Sequence, residues 1–188
     1  MGNLGDELVS LAVAATSPDG QIRAMFGDQG EKVEIAFQPG AYRDYSETSL
    51  AHELSRLAMR VTASYVRAQK RLIDDAIPDV LHDDGIEYGL EDREYRRRVA
   101  AIKAGAKSPD GRIAVASQSL ARWKVRIADG TVRRVSEETF KEGFLGAIRE
   151  VLAQHQFEVL KLKDEYYDLG YSNETRRRMG LPERRGSR

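Results

Sequence analysis

The chain has 188 residues, 41% hydrophobic and 32% charged, with 30 basic and 30 acidic side chains and no cysteine. This length suits one large or two small domains, and the lack of cysteine excludes a disulfide framework and thiolate metal sites. No apolar run approaches the roughly 18 residues that a membrane span needs. The opening MGNLGDELVS lacks the basic and apolar regions of a signal peptide, and Asp6 stands where a myristoylation signal requires Ser or Thr. A cytoplasmic protein is therefore expected.

Residues 8–15, LVSLAVAA, read as a first strand. Ser17-Pro18-Asp19-Gly20 is a turn: Pro presets φ, Asp bonds nearby backbone and Gly accepts a positive φ. Ile22, Ala24 and Phe26 then alternate onto one face, and Val33, Ile35 and Phe37 do the same beyond a turn at 27–30. Ser46 is a good helix N-cap, and Glu47 complements the helix dipole. From there to Ile77 a stripe of Leu50, Leu54, Leu57, Val61, Tyr65, Ala68 and Leu72 predicts one long helix. Unbroken, that stripe is about 45 Å long. A three-stranded meander cannot cover it, so its far end, beyond Val61, should pack on another helix.

Residues 78–92 read as an acidic linker with Gly85 and Gly89, and 93–102 as a short basic helix. The pattern then repeats. Ser108-Pro109-Asp110-Gly111 restates the first turn at an offset of 91, and Ile113 matches Ile22. Val125 and Ile127 match Val33 and Ile35 at an offset of 92, and Ser136-Glu137 matches Ser46-Glu47 at 90. A second stripe follows, with Phe140, Phe144, Ala147/Ile148, Val151, His155, Val159, Leu162, Tyr166 and Leu169. Turn, strand and helix start recurring in one order indicate an internal duplication. The expected units are 1–77 and 93–170, each βββα, joined by the 78–92 linker. Residues 171–188, with six arginines and little apolar content, are expected to be a disordered basic tail.

The neutral total conceals a split. Residues 1–90 hold 8 basic and 15 acidic side chains and residues 91–188 hold 22 and 15, a balance of −7 against +7. A polyanion partner for one half, self-association between oppositely charged halves, and divergence after duplication all fit such asymmetry. The candidate DNA-contacting residues are Arg93, Arg96, Arg97 and Arg98, then Arg122, Lys124 and Arg126, then Arg133 and Arg134, then Arg176, Arg177 and Arg178. Clustered cations suffice for phosphate binding, because counterion release supplies affinity. No phosphate-binding loop, His-Glu-x-x-His or Gly-x-Ser-x-Gly motif is present. His52 reads as exposed and His155 as an interface residue, and His82-Asp83-Asp84 is more readily solvated than metal-bound. No enzyme, cofactor or metal is expected.

Each half resembles the YbaB/EbfC family of small nucleoid-associated proteins. The resemblance is carried by the Ser-Pro-Asp-Gly-x-Ile corners at Ser17–Ile22 and Ser108–Ile113, the Gly-punctuated meander and the helix openings at Ser46-Glu47 and Ser136-Glu137. Residues 17–73 are also similar to actinobacterial relatives encoded with type VII secretion systems. The resemblance implies sequence-independent DNA binding by homodimers, and nucleoid association. Here two unlike copies would pair within one chain as a pseudo-dimer. Copy one departs in having no strong leading helix. A protein-interaction or chaperone-like role in type VII secretion is the alternative, and a structural scaffold a third.

Overall fold

Ser17 shows why the chain turns where it does. Its buried hydroxyl donates to Asp19 Oδ1 (2.6 Å) and accepts the Ile22 N–H (2.9 Å), while the Gln21 N–H reaches the same Asp19 oxygen at 3.1 Å. Gly20 closes the turn at φ +76°, a value that glycine adopts without steric cost. Ser108 repeats the set: its hydroxyl donates to Asp110 Oδ1 (2.6 Å), and it accepts the Ile113 N–H (3.0 Å). The two corners thus share one internal hydrogen-bond pattern, and their surroundings differ: Asp19 also accepts from the Tyr45 hydroxyl, whereas Asp110 lies 3.4 Å from Arg112.

The computed structural model describes residues 4–76, 90–167 and 169–183. Its architecture is α+β. Strands β1 (Ala12–Thr16), β2 (Ile22–Gly27) and β3 (Lys32–Phe37) form an antiparallel sheet in that order. After the short helix α2 (Ala41–Asp44) comes the long helix α3 (Glu47–Ala76). The second half repeats this with β4 (Lys103–Lys107), β5 (Ile113–Gln118), β6 (Arg122–Ile127), α5 (Thr131–Arg134) and α6 (Glu137–Tyr167). Ser46 and Ser136 cap the long helices, each accepting an N–H three residues on at 3.1 Å. Leading helices α1 (Leu4–Ser10) and α4 (Leu90–Ala101) precede the two sheets.

Register corrects the alignment of the halves. Ile22 pairs with Phe37 as Ile113 pairs with Ile127, so Val33 and Ile35 correspond to Trp123 and Val125, at an offset of 90 rather than 92. Strand side chains alternate with period two, so a two-residue slip leaves every residue on its proper face and alternation alone does not reveal it. The length difference lies in the β2–β3 turn.

Helix α3 packs on β1 and β2 and also along β6 of the other half, while α6 packs on β4 and β5 and against β3. One apolar cluster therefore joins both sheets and both helices, from Ile22, Leu50, Leu54 and Leu57 to Val115, Trp123, Phe140, Phe144 and Val151. Each large side chain so buried contributes about 1.5–3 kcal/mol. Polar contacts add to the joint. The Val125 N–H donates to Ser55 Oγ (2.9 Å), the Val132 N–H to Glu47 Oε1 (3.1 Å), and the Tyr42 hydroxyl to the Val135 carbonyl (3.3 Å). Phe140 packs against the rings of Tyr42 and Phe37 at 5.3 and 6.3 Å.

Three expectations change. Residues 4–10 are helical, so strand one begins at Ala12 and copy one has a leading helix. Leu4, Leu8 and Leu11 have helical spacing, and α1 docks on α3. The basic helix begins at Leu90, inside the expected linker; the remaining linker, 78–89, lies outside the described residues. The tail is not disordered over 171–183. Helix α7 (Asn173–Arg178) folds back on α6, where Arg176 meets Asp164 in an ion pair whose side chains are 3% and 4% exposed. Arg176 Nη1 donates to Asp164 Oδ1 at 2.8 Å, its Nε donates to the Pro182 carbonyl at 2.7 Å, and Leu181 is buried beside them. Composition hid this, because one buried pair and one leucine anchor the segment.

Candidate functional site

Strand β4 reads Lys-Ala-Gly-Ala-Lys, so Ala104 turns into the core and Lys103, Gly105 and Lys107 turn out. On β6, Trp123 and Val125 turn in, leaving Arg122, Lys124 and Arg126 outward. Between them β5 presents Ala114, Ala116 and Gln118. Cross-strand pairing lines these up as Lys103–Gln118–Arg122, Gly105–Ala116–Lys124 and Lys107–Ala114–Arg126. The outer face of this sheet therefore carries five cations and no acid. All five are exposed, and among the described residues none is engaged by a carboxylate.

The two cationic rows stand about 10 Å apart, two strand spacings, and Lys103 and Lys107 are about 13 Å apart along β4. The floor between the rows is low, because Ala114 and Ala116 end at Cβ. The first sheet differs at the equivalent face. Its outward residues are Ala12, Ala14, Thr16, Arg23, Met25, Lys32, Glu34 and Ala36, and Lys32 is tied to Asp28 at 2.8 Å. The Asp28 carboxylate, through that hydrogen bond, holds the Lys32 ammonium above its usual range.

The structure brings together only part of the expected set. Arg122, Lys124 and Arg126 form one row. Arg93, Arg96 and Arg97 are exposed on α4, with Arg97 3.7 Å from Glu94. Arg98 turns to α6, pairing with Glu165 and lying over the Tyr166 ring at 5.5 Å. Arg133 and Arg134 are exposed on α5. Arg176 is corrected: buried against Asp164, it has no surface to offer a nucleic acid. Arg177 pairs with Glu183 at 2.7 Å, and Arg178 is exposed on α7. Lys103 and Lys107 were absent from the expected residues, though the period-two spacing in KAGAK signals their shared face.

Among the described residues no three His, Asp or Glu side chains gather to hold a metal. His82-Asp83-Asp84 lies outside the described residues. His52 is exposed. His155 is half-buried, burial pushes its pKa down, and its Nε2 has no hydrogen-bond partner among the described residues. No described helix is long and apolar enough to cross a membrane. No family model, curated protein or solved structure matches the chain.

Proposed function

We propose that the chain is a non-enzymatic protein that binds duplex DNA through its phosphates, with little dependence on base sequence. The observation that carries this reading is the acid-free face of Lys103, Lys107, Arg122, Lys124 and Arg126. Cations on a flat sheet face can neutralise phosphates, but sequence readout needs side chains at base edges in a groove. The resemblance of the Ser-Pro-Asp-Gly-x-Ile corners to nucleoid-associated proteins points the same way, and nucleoid association follows from this reading. The two halves, with their shared apolar cluster, are read as an intramolecular counterpart of a homodimer.

The test is fluorescence anisotropy of a random-sequence duplex at two salt concentrations. Five engaged phosphates give a slope of log K against log salt of about −4 to −5. Scrambling the sequence should leave affinity unchanged. No binding at low salt removes the reading. A second reading, an adaptor for a protein partner such as a type VII secretion component, is favoured by a groove between distal α3 and α6. Leu8, Met59, Tyr65, Val66 and Leu120 line it, and Val66 is 61% exposed. Stoichiometric co-purification of one protein from the native host, with no retention on DNA, would establish that reading instead.

A further inference from the structure

We infer that the outer face of β4–β6 is a seat for a single sugar-phosphate backbone, which lies along the floor of Ala114 and Ala116 between the two cationic rows. This deepens the DNA reading and rests on it. Diffuse attraction needs only net charge; a seat also needs shape, and the face has one. Arg122, Lys124 and Arg126 recur every second residue along one wall, about 6.7 Å apart. Lys103 and Lys107 form the other wall, with Gly105 leaving it open at its middle. Long cationic side chains flank a floor that stops at Cβ at Ala114 and Ala116. A phosphodiester chain placed there meets donors from both sides, and only Gln118, at the end of the floor between Lys103 and Arg122, rises above it. A base pair has no place in such an arrangement, so one strand is sufficient.

Single-stranded and duplex DNA should therefore share the site. Filling the floor should weaken binding about tenfold or more without any change of charge. Ala116 is exposed, between Gly105 and Lys124, and Trp is favourable in strands. Gly105 is the second position: an added Cβ meets nothing closer than the Val115 carbonyl oxygen at 3.5 Å. Ala116→Trp and Gly105→Phe thus obstruct the seat and leave all five cations in place. The experiment measures anisotropy of a labelled random 16-mer, as duplex and as single strand, with the full chain and with these variants. Lys103→Ala/Lys107→Ala serves as the charge-removal control, and thermal melting confirms that each variant is folded.

Wild type is expected to bind both forms, and each obstructing variant to lose about tenfold or more on both, the equivalent of one charge-assisted hydrogen bond. The double lysine variant should lose affinity and flatten the duplex salt slope by about two. If a folded obstructing variant binds as wild type does while the lysine variant is weakened, attraction is diffuse and the seat is wrong, with the DNA reading intact. Binding of duplex but not single strand likewise overturns the seat. If wild type binds neither form at low salt, the DNA reading itself fails.

Discussion

Ser55→Ala tests whether the two halves are one cooperative unit. Ser55 lies on α3 in the first half, and its hydroxyl accepts the Val125 N–H of β6 in the second at 2.9 Å while donating to the Ala51 carbonyl at 2.6 Å. Strand β6 ends its sheet, so the side of Val125 facing α3 has no strand to pair with. Alanine leaves that amide without its partner beneath a packed helix, which costs about 1–3 kcal/mol. The better helix propensity of Ala returns at most about 0.5 kcal/mol. A net loss of about 1–2 kcal/mol corresponds to a Tm lower by about 3–7 °C for a chain of this size. Circular dichroism melting measures it, and wild type should melt in one transition. Two transitions in wild type, or an unchanged Tm in the variant, would refute the reasoning that α3 and β6 are joined by this contact.

Arg176→Ala takes the guanidinium away from the buried Asp164 carboxylate, a penalty of up to about 3–5 kcal/mol; because α7 can lift away, the loss should appear first as proteolytic cleavage within 171–183. Replacing both partners by apolar residues should restore protection. Phe144→Asp places a charge in the apolar cluster, where the native ring is 3% exposed, and should prevent folding, seen as loss of the melting transition and of soluble yield. Burial holds the His155 pKa below its unfolded value, so the folded state binds fewer protons. Stability from this group is then complete above about pH 6.5 and falls as pH drops toward the folded pKa. His155→Phe should flatten the melting temperature between pH 7 and 5.5; an unaltered slope would show that His155 is not its source.

The repeated βββα arrangement was legible because turns, alternation and caps are local chemistry. Ser17 and Ser108, with their aspartates, fix the corners through bonds spanning five residues at most. The first halves of both long helices showed their buried stripes for the same reason, Leu50 to Val61 and Phe140 to Val151, whereas the far ends are only partly buried and Leu169 lies beyond α6 and is exposed. Missed features depend on contacts distant in sequence. Helix α1 has only seven residues, too few to be stable alone, and forms because α3 supplies a surface. The α7 segment resembles a solvated tail until Asp164 meets Arg176. The basic face was half visible: its β6 row lies within one strand, whereas Lys103 and Lys107 join it only through strand pairing.

The halves differ in one way inside and in another outside. Inside, Phe26 opposite Val33 becomes Ser117 opposite Trp123, a large–small exchange across one strand pair that conserves volume, the kind of core change tolerated best. Outside, nothing compensates. Lys103, Lys107, Arg122, Lys124 and Arg126 stand where the first sheet has Ala12, Thr16, Lys32, Glu34 and Ala36. A homodimer carries any outer face twice, so a charged face there is always a pair. Two copies in one chain release that constraint: shared core positions must still fit, but each outer face is free to differ. On the proposed reading the chain accordingly has one backbone seat, not two related by symmetry. Titration of a short single strand well above its Kd should saturate at one strand per chain. A value of two would mean that the first sheet binds as well, despite Glu34 and the Lys32–Asp28 pair, and that the charge difference between the faces does not decide where DNA sits.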